Sequence, residues 1–289
     1  MKNRKIITVL VILIVIISAI ASLGGIFSTS GPGQRTIESV RGQTVMLYGQ
    51  GLYQDMSADV AIQGIAQDWV TLLLGIPMLL TSLYFARKGS LGGRLVLSGT
   101  IGYFLVTYLF YMTMAMYNQM FLAYIVLLGL SFFALVLTLF SYDFEQLRKS
   151  FTNERTLKYA GYFLMSNSIL IAMLWLIIIL PAFIKGIVPN QVEHYTTLIV
   201  QGFDIGLILP ICFVSGWLAV RKNIYGYLYA IITLILLVIL MTALVSKIVF
   251  MANAGQNVIP VVFIIPVIDL LAIIFSFLLI RNIPDQTQK

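Results

Sequence analysis

The chain has 289 residues, of which 60% are apolar and 10% charged, and a net charge of +7. A soluble domain carries about a quarter charged residues, so the composition excludes a water-soluble globule and points to an all-α polytopic transmembrane helical bundle whose solvent is the lipid bilayer. The positive charges fall in short clusters between apolar runs instead of along one face, which excludes a nucleic-acid surface and makes them topology signals.

The basic start, Met1-Lys-Asn-Arg-Lys5, precedes an apolar run from Ile6 to Phe27 that is long enough to span. It reads as a signal anchor or a signal peptide. Ala19-Ile20-Ala21 has the small-x-small form of a cleavage site, but the run continues past it, which favours a retained helix. Residues 28–67 are polar and glycine-rich, with a turn at Gly31-Pro32-Gly33 and a mixed β-branched and aromatic segment from Thr44 to Tyr53. A short strand pair capping the helices and a plain linker both fit this composition.

Seven more apolar runs follow, at about Asp68–Ala86, Leu95–Met116, Met120–Ser141, Tyr159–Phe183, Gly202–Val220, Ile224–Phe250 and Val258–Ile280, giving about eight spanning helices. The connections 117–119 and 251–257 are too short for anything but a turn, so helices three and four, and seven and eight, are expected as antiparallel neighbours. Along this alternating path, fourteen Lys and Arg residues fall on the side of the N-terminus and four on the other, namely Arg35, Arg41, Lys185 and Lys247. That asymmetry places both termini in the cytoplasm and residues 28–67 outside the cell membrane.

The stretch from Gln63 to Arg94 returns faintly at Gln201 to Gly226. Both open on Gln-Gly, carry an Asp (Asp68, Asp204) and a proline (Pro77, Pro210), and end on Arg-Lys followed by glycine. Even helix numbers then suggest a 4+4 parallel repeat, with one membrane half at 1–145, a cytoplasmic linker at 146–158 and a second half at 159–289.

Enzyme signatures are absent: no glycine-rich phosphate loop, no His-Glu-x-x-His, no Gly-x-Ser-x-Gly and no Cys-x-x-Cys. The one cysteine, Cys212, is expected as a buried thiol. The one histidine, His194 beside Glu193, cannot build an imidazole metal site, so no metal ligands or catalytic residues are assigned and no cofactor is specified.

Ionisable and polar groups within apolar runs carry more information, because charge at bilayer depth is costly and is kept for a partner or pathway. Asp269 lies mid-run, with Lys247 and Asn167 as its expected partners around a polar cavity; Asp68 and Asp204 complete the ion-pathway candidates, and Lys247 is a counter-ion for any of the three acids. Pro77, Pro210, Pro260 and Pro266 each remove a helical N–H and are expected kinks. Tyr103, Phe110 and Tyr117 recur every seven residues, a pattern that reads as a packing seam.

The segments Tyr48-Gly-Gln-Gly-Leu-Tyr53, Gln67-Asp68, Val70-Thr71-Leu72, Gly75-Ile76-Pro77 and Arg87-Lys88-Gly89-Ser90-Leu91, leading to Gly102-Tyr103-Phe104, together resemble a group of bacterial multi-pass membrane proteins with no assigned function. The resemblance covers mainly residues 45–125 and implies no mechanism. Two functional readings stand: a transporter or ligand-binding sensor for a small molecule or ion, with its polar site between the halves, and a non-enzymatic accessory that docks a membrane partner through the outer loop. A second copy of the chain is a further expected partner.

Overall fold

The structure, a computed structural model, describes residues 3–151, 154–281 and 283. Lys2 and Lys289, counted above among the fourteen basic residues, lie outside the described residues, as do positions 152–153 of the expected linker and the end of the second half beyond 283. Among the described residues, eight helices are long and apolar enough to cross a membrane. They are α1 (Arg4–Phe27), α2 with α3 (Ala58–Val70, Ile76–Arg87), α4 (Leu91–Met114), α5 (Phe121–Leu139), α7 (Glu154–Lys185), α8 with α9 (Ile199–Phe203, Leu209–Val220), α10 (Ile224–Asn253) and α11 (Val261–Arg281); a short α6 (Phe144–Lys149) bridges α5 and α7.

The bundle is built on α4 and α10, which pack on each other and bury most of their length. As the short turns demand, α5 lies against α4 and α11 against α10. Phe132, Phe133, Ile177, Phe183 and Phe277 point outward on the peripheral helices, an apolar exterior that suits a bilayer and would be costly in water.

Two prolines shape the repeated stretch in the same way. Neither Pro77 nor Pro210 can donate a backbone hydrogen bond, and the turn before each widens to a π-helix, Thr71–Gly75 and Asp204–Ile208. The Ile76 amide then reaches the Thr71 carbonyl and the Leu209 amide the Asp204 carbonyl, five residues back in each case. The offset between these prolines also maps α3 onto α9 and the start of α4 onto that of α10. It maps the side-chain cap of Ser90, bonded to the Gly93 amide at 3.1 Å, onto that of Asn223, bonded to the Tyr225 amide at 3.0 Å. It maps Gly93 onto Gly226 as well: a Cβ at Gly93 would sit 2.9 Å from the Ala86 nitrogen, and one at Gly226 2.5 Å from the Ala219 nitrogen. These helix corners close only because glycine lets backbone touch backbone.

In this register Asp68 aligns with Gln201 and Thr71 with Asp204. The sequence match of Gln63-Gly64 with Gln201-Gly202, and of Asp68 with Asp204, is therefore corrected: the prolines correspond, but the two acids stand three positions apart on their helices. The second spanning helix also begins at Ala58, ten residues before its expected start, so Asp68 lies within a helix instead of at its end and residues 58–67 do not belong to the loop. Pro266 lies inside α11, whereas Pro260 precedes that helix and kinks nothing in it.

At one end of the bundle the segment after α1 is an ordered cap and not a linker. Strands β1 (Arg35–Glu38) and β2 (Thr44–Leu47) pair antiparallel, Arg35 opposite Leu47 and Glu38 opposite Thr44. Arg41 donates to the Tyr195 and Thr196 carbonyls at 3.0 Å each, and Gln43 donates to the Asn190 carbonyl at 3.0 Å. His194 Nε2 lies 3.0 Å from the Asp55 carbonyl oxygen. The cap is thus fastened to the loop between α7 and α8.

A carboxylate buried among tyrosines

The polar centre of the molecule is Asp68, ten residues into the helix from Ala58, or about 15 Å along its axis. Only 3% of it is exposed. A turn at Gly51–Tyr53 drops Tyr53 from the cap onto this carboxylate, and its hydroxyl donates to Oδ2 at 2.5 Å. From α4, the Tyr111 hydroxyl lies 3.0 Å from Oδ1 and 2.9 Å from the Gly64 carbonyl oxygen, sharing its proton between them. Burial, and then the nearby Asp68 charge, pushes the Tyr53 hydroxyl well above its usual value, so this phenol remains a donor.

Helix α1 reaches the same spot through a glycine. A Cβ at Gly25 would overlap Asp68 Oδ2 and fall 2.6 Å from the Tyr53 hydroxyl, so no larger residue fits there with the site intact. Beside Asp68 in the chain, Gln67 Nε2 donates to the Tyr103 hydroxyl at 2.8 Å and lies 3.3 Å from Thr107 Oγ1. Thr71 donates to the Gln67 carbonyl at 3.0 Å, which leaves Tyr103 to donate to Thr71 Oγ1 at 2.8 Å. Tyr108 and Tyr124 stack with ring centroids 6.1 Å apart and close the aromatic wall. The buried hydroxyls of Tyr124 and Ser22 also stand close to this carboxylate, and among the described residues neither makes a well-aligned hydrogen bond.

Lys247 of α10 is half-buried and within electrostatic reach of Asp204 first and Asp68 second, yet forms a direct ion pair with neither. Asp204 opens the second π-turn and accepts from Trp175 Nε1 of α7 at 2.8 Å. Ser246, beside Lys247, donates to the Ala66 carbonyl at 3.2 Å and pins α10 to α2. The structure therefore brings Asp68, Lys247 and Asp204 into one electrostatic group straddling the two π-turns.

The other candidates lie elsewhere. Asp269 is half-buried between α10 and α11, and its partner on a neighbouring helix is Thr242, with Oγ1 3.2 Å from Oδ2, not Lys247 or Asn167. Asn167 faces a groove between α7 and α11. Of the expected seam, Tyr103 is a member of the hydrogen-bonded network, Phe110 packs edge-on against Phe203, and Tyr117 is exposed. Cys212 is a buried free thiol, as expected. No group of three His, Cys, Asp or Glu side chains placed to hold a metal exists among the described residues.

Sequence reading missed Tyr53, Gln67, Thr71, Tyr111 and Tyr124. Its one available signal was the four-residue spacing of Tyr103, Thr107 and Tyr111, which puts three hydroxyls on a single face of α4.

Eight spanning helices around a sealed polar centre mark a multi-pass membrane protein. No protein-family model matches the chain, and neither a curated protein nor a solved structure matches it.

Proposed function

We propose that this protein is an ion-coupled carrier in which a proton or a monovalent cation binds at Asp68, within the first helical half and facing Lys247 of the second. One observation carries the reading: a carboxylate removed from solvent within a spanning helix is held by phenol donors, with no lysine or arginine paired to it, while Lys247 is shared with a second acid. Burying such a charge costs several kcal/mol in effective terms, and a helix packing only for shape would place an apolar side chain there. A docking scaffold has no use for three ionisable groups at this depth.

The chemistry follows from the donors. Tyr53 and Tyr111 stabilise the ionised form of Asp68, while Ser22 and Tyr124 offer oxygen atoms to an incoming cation. The widened π-turns loosen each helix beside its acid and are the natural places for it to bend. Shift of Lys247 from Asp204 toward Asp68 would then displace the cation. The end bearing Arg87, Lys88, Arg94, Arg221 and Lys222 faces the cytoplasm on the charge asymmetry.

The test is electrical. Purified protein in liposomes on a solid-supported membrane is given a jump in pH or in sodium concentration, and the wild type should displace charge. Asp68→Asn should abolish the signal while Asp269→Asn retains it. A silent wild type, or an unchanged Asp68→Asn signal, overturns the proposal.

A further inference from the structure

The second half of the molecule is open where the first is closed. Helix α1 packs along α5 as well as along α2 and α3, but α7 packs along α9 and touches α11 only lightly. Between α7 and α11 runs a groove of about 600 Å³ lined by Phe163, Leu170, Phe263, Val267 and Leu271, with Ser166 and Asn167 on its wall. Its volume falls within the range of about 300–1,000 Å³ usual for small-molecule sites.

One polar group in this groove has no bond. Asn167 is 4% exposed, and its Oδ1 has no partner among the described residues. Ser166 spends its hydroxyl proton on the Tyr162 carbonyl at 2.8 Å, so it cannot satisfy that oxygen. An unpaired buried carbonyl costs about 1–3 kcal/mol, and the hydrocarbon tail of a phospholipid offers it no hydrogen. A hydroxyl or an N–H does.

We infer that the α7–α11 groove binds a lipid-soluble molecule with a long apolar body and a hydrogen-bond donor, the donor pairing with Asn167 Oδ1 and the body lying along Phe163, Leu170 and Phe263. The site is separate from Asp68 and does not depend on the carrier reading. It opens sideways, toward the hydrocarbon, which is the route such a ligand would take.

Farnesol and its methyl ether test this directly, since they share the isoprenoid body and only the alcohol donates. With the protein in nanodiscs, radiolabelled farnesol binding is followed by scintillation proximity and displaced by either unlabelled compound. Farnesol should bind the wild type at least tenfold more tightly than the ether, a preference that Asn167→Ala reduces to within about twofold. Leu170→Trp should fill the groove and abolish binding of both, while Asp68→Asn leaves binding unchanged. Equal affinity for alcohol and ether, binding of neither, or a preference that survives Asn167→Ala would each overturn the inference. Because Asn167→Ala removes an unpaired buried group, its unliganded melting temperature should not fall, which separates lost recognition from lost folding.

Discussion

Helices α4 and α10 each follow a proline-bearing helix in the same register, and their residues at matching positions differ in kind. In the register set by Pro77 and Pro210, Tyr103, Thr107 and Tyr111 of α4 correspond to Leu236, Leu240 and Leu244 of α10. The glycine corners, the side-chain caps and the π-turns are alike in both halves, so backbone geometry does not require the hydroxyls. The leucines show that this scaffold packs well without them. What differs is the residue to be served: Asp68 and Gln67 lie opposite the tyrosines, while the second half keeps its acid, Asp204, half-buried against Trp175.

The strongest way to break this comparison is to make α4 resemble α10. The triple change Tyr103→Leu, Thr107→Leu, Tyr111→Leu should cost about 3–5 kcal/mol, because Gln67 stays buried without Tyr103 and Thr107 and Asp68 keeps Tyr53 but loses Tyr111. Adding Asp68→Leu and Gln67→Leu should restore most of that stability, measured by thermal unfolding in detergent, and give a folded but electrically silent protein. A triple variant as stable as wild type would show that the hydroxyls serve only as filling.

A smaller effect tests the likeness of the halves. Gly93→Ala and Gly226→Ala each thrust a methyl group into the backbone of the preceding helix, at 2.9 and 2.5 Å from an amide nitrogen. Both should lower stability by roughly 1–3 kcal/mol, the usual cost of overpacking, and by similar amounts. A large loss in one half alone would mean that the two corners are not equivalent in energy.

The smallest expected effect lies in the cap. Burial raises the Glu193 carboxyl above its ordinary value, so ordering of the loop favours its protonated form relative to the open chain. The clasp between loop and cap is then strongest in acid and weakens as pH rises through the ordinary carboxylate value toward the raised one. Glu193→Gln should slow hydrogen exchange over residues 28–57 relative to wild type at pH 7.5, with the difference closing near pH 4. A difference that persists at pH 4 would assign the effect to something other than this charge.

The helices were legible because lipid demands long apolar runs, and seven of the eight spans begin within five residues of where hydropathy places them. The exception is instructive. Asp59, Gln63, Gln67 and Asp68 interrupt the apolar signal, so the first ten residues of the Ala58 helix read as loop although they are helical. The site was legible only in part, since a carboxylate in an apolar run announces itself but its ligands do not. Tyr53, Gly25 and Tyr111 come from a turn and two other helices, and nothing local marks a tyrosine as a hydrogen-bond donor instead of a packing ring. Asp269 drew attention by its central position in α11, yet Thr242 satisfies it from a single neighbouring helix.

The clasp at the capped end also bears on how the chain is assembled. Arg41 bonds to carbonyls 154 and 155 positions further along, and Gln43 to one 147 positions away. At translation rates of about 5–20 residues per second, the hairpin waits roughly 8–30 s before the loop that accepts its hydrogen bonds has been made. During that interval the α7 and α8 segments must be inserted and the loop carried to the side where the hairpin already lies. Arg41 meanwhile keeps its water. The clasp can therefore close only after both strands of the connection stand on one side of the bilayer, and its closing fixes the relative placement of the early and late helices after insertion has set their direction.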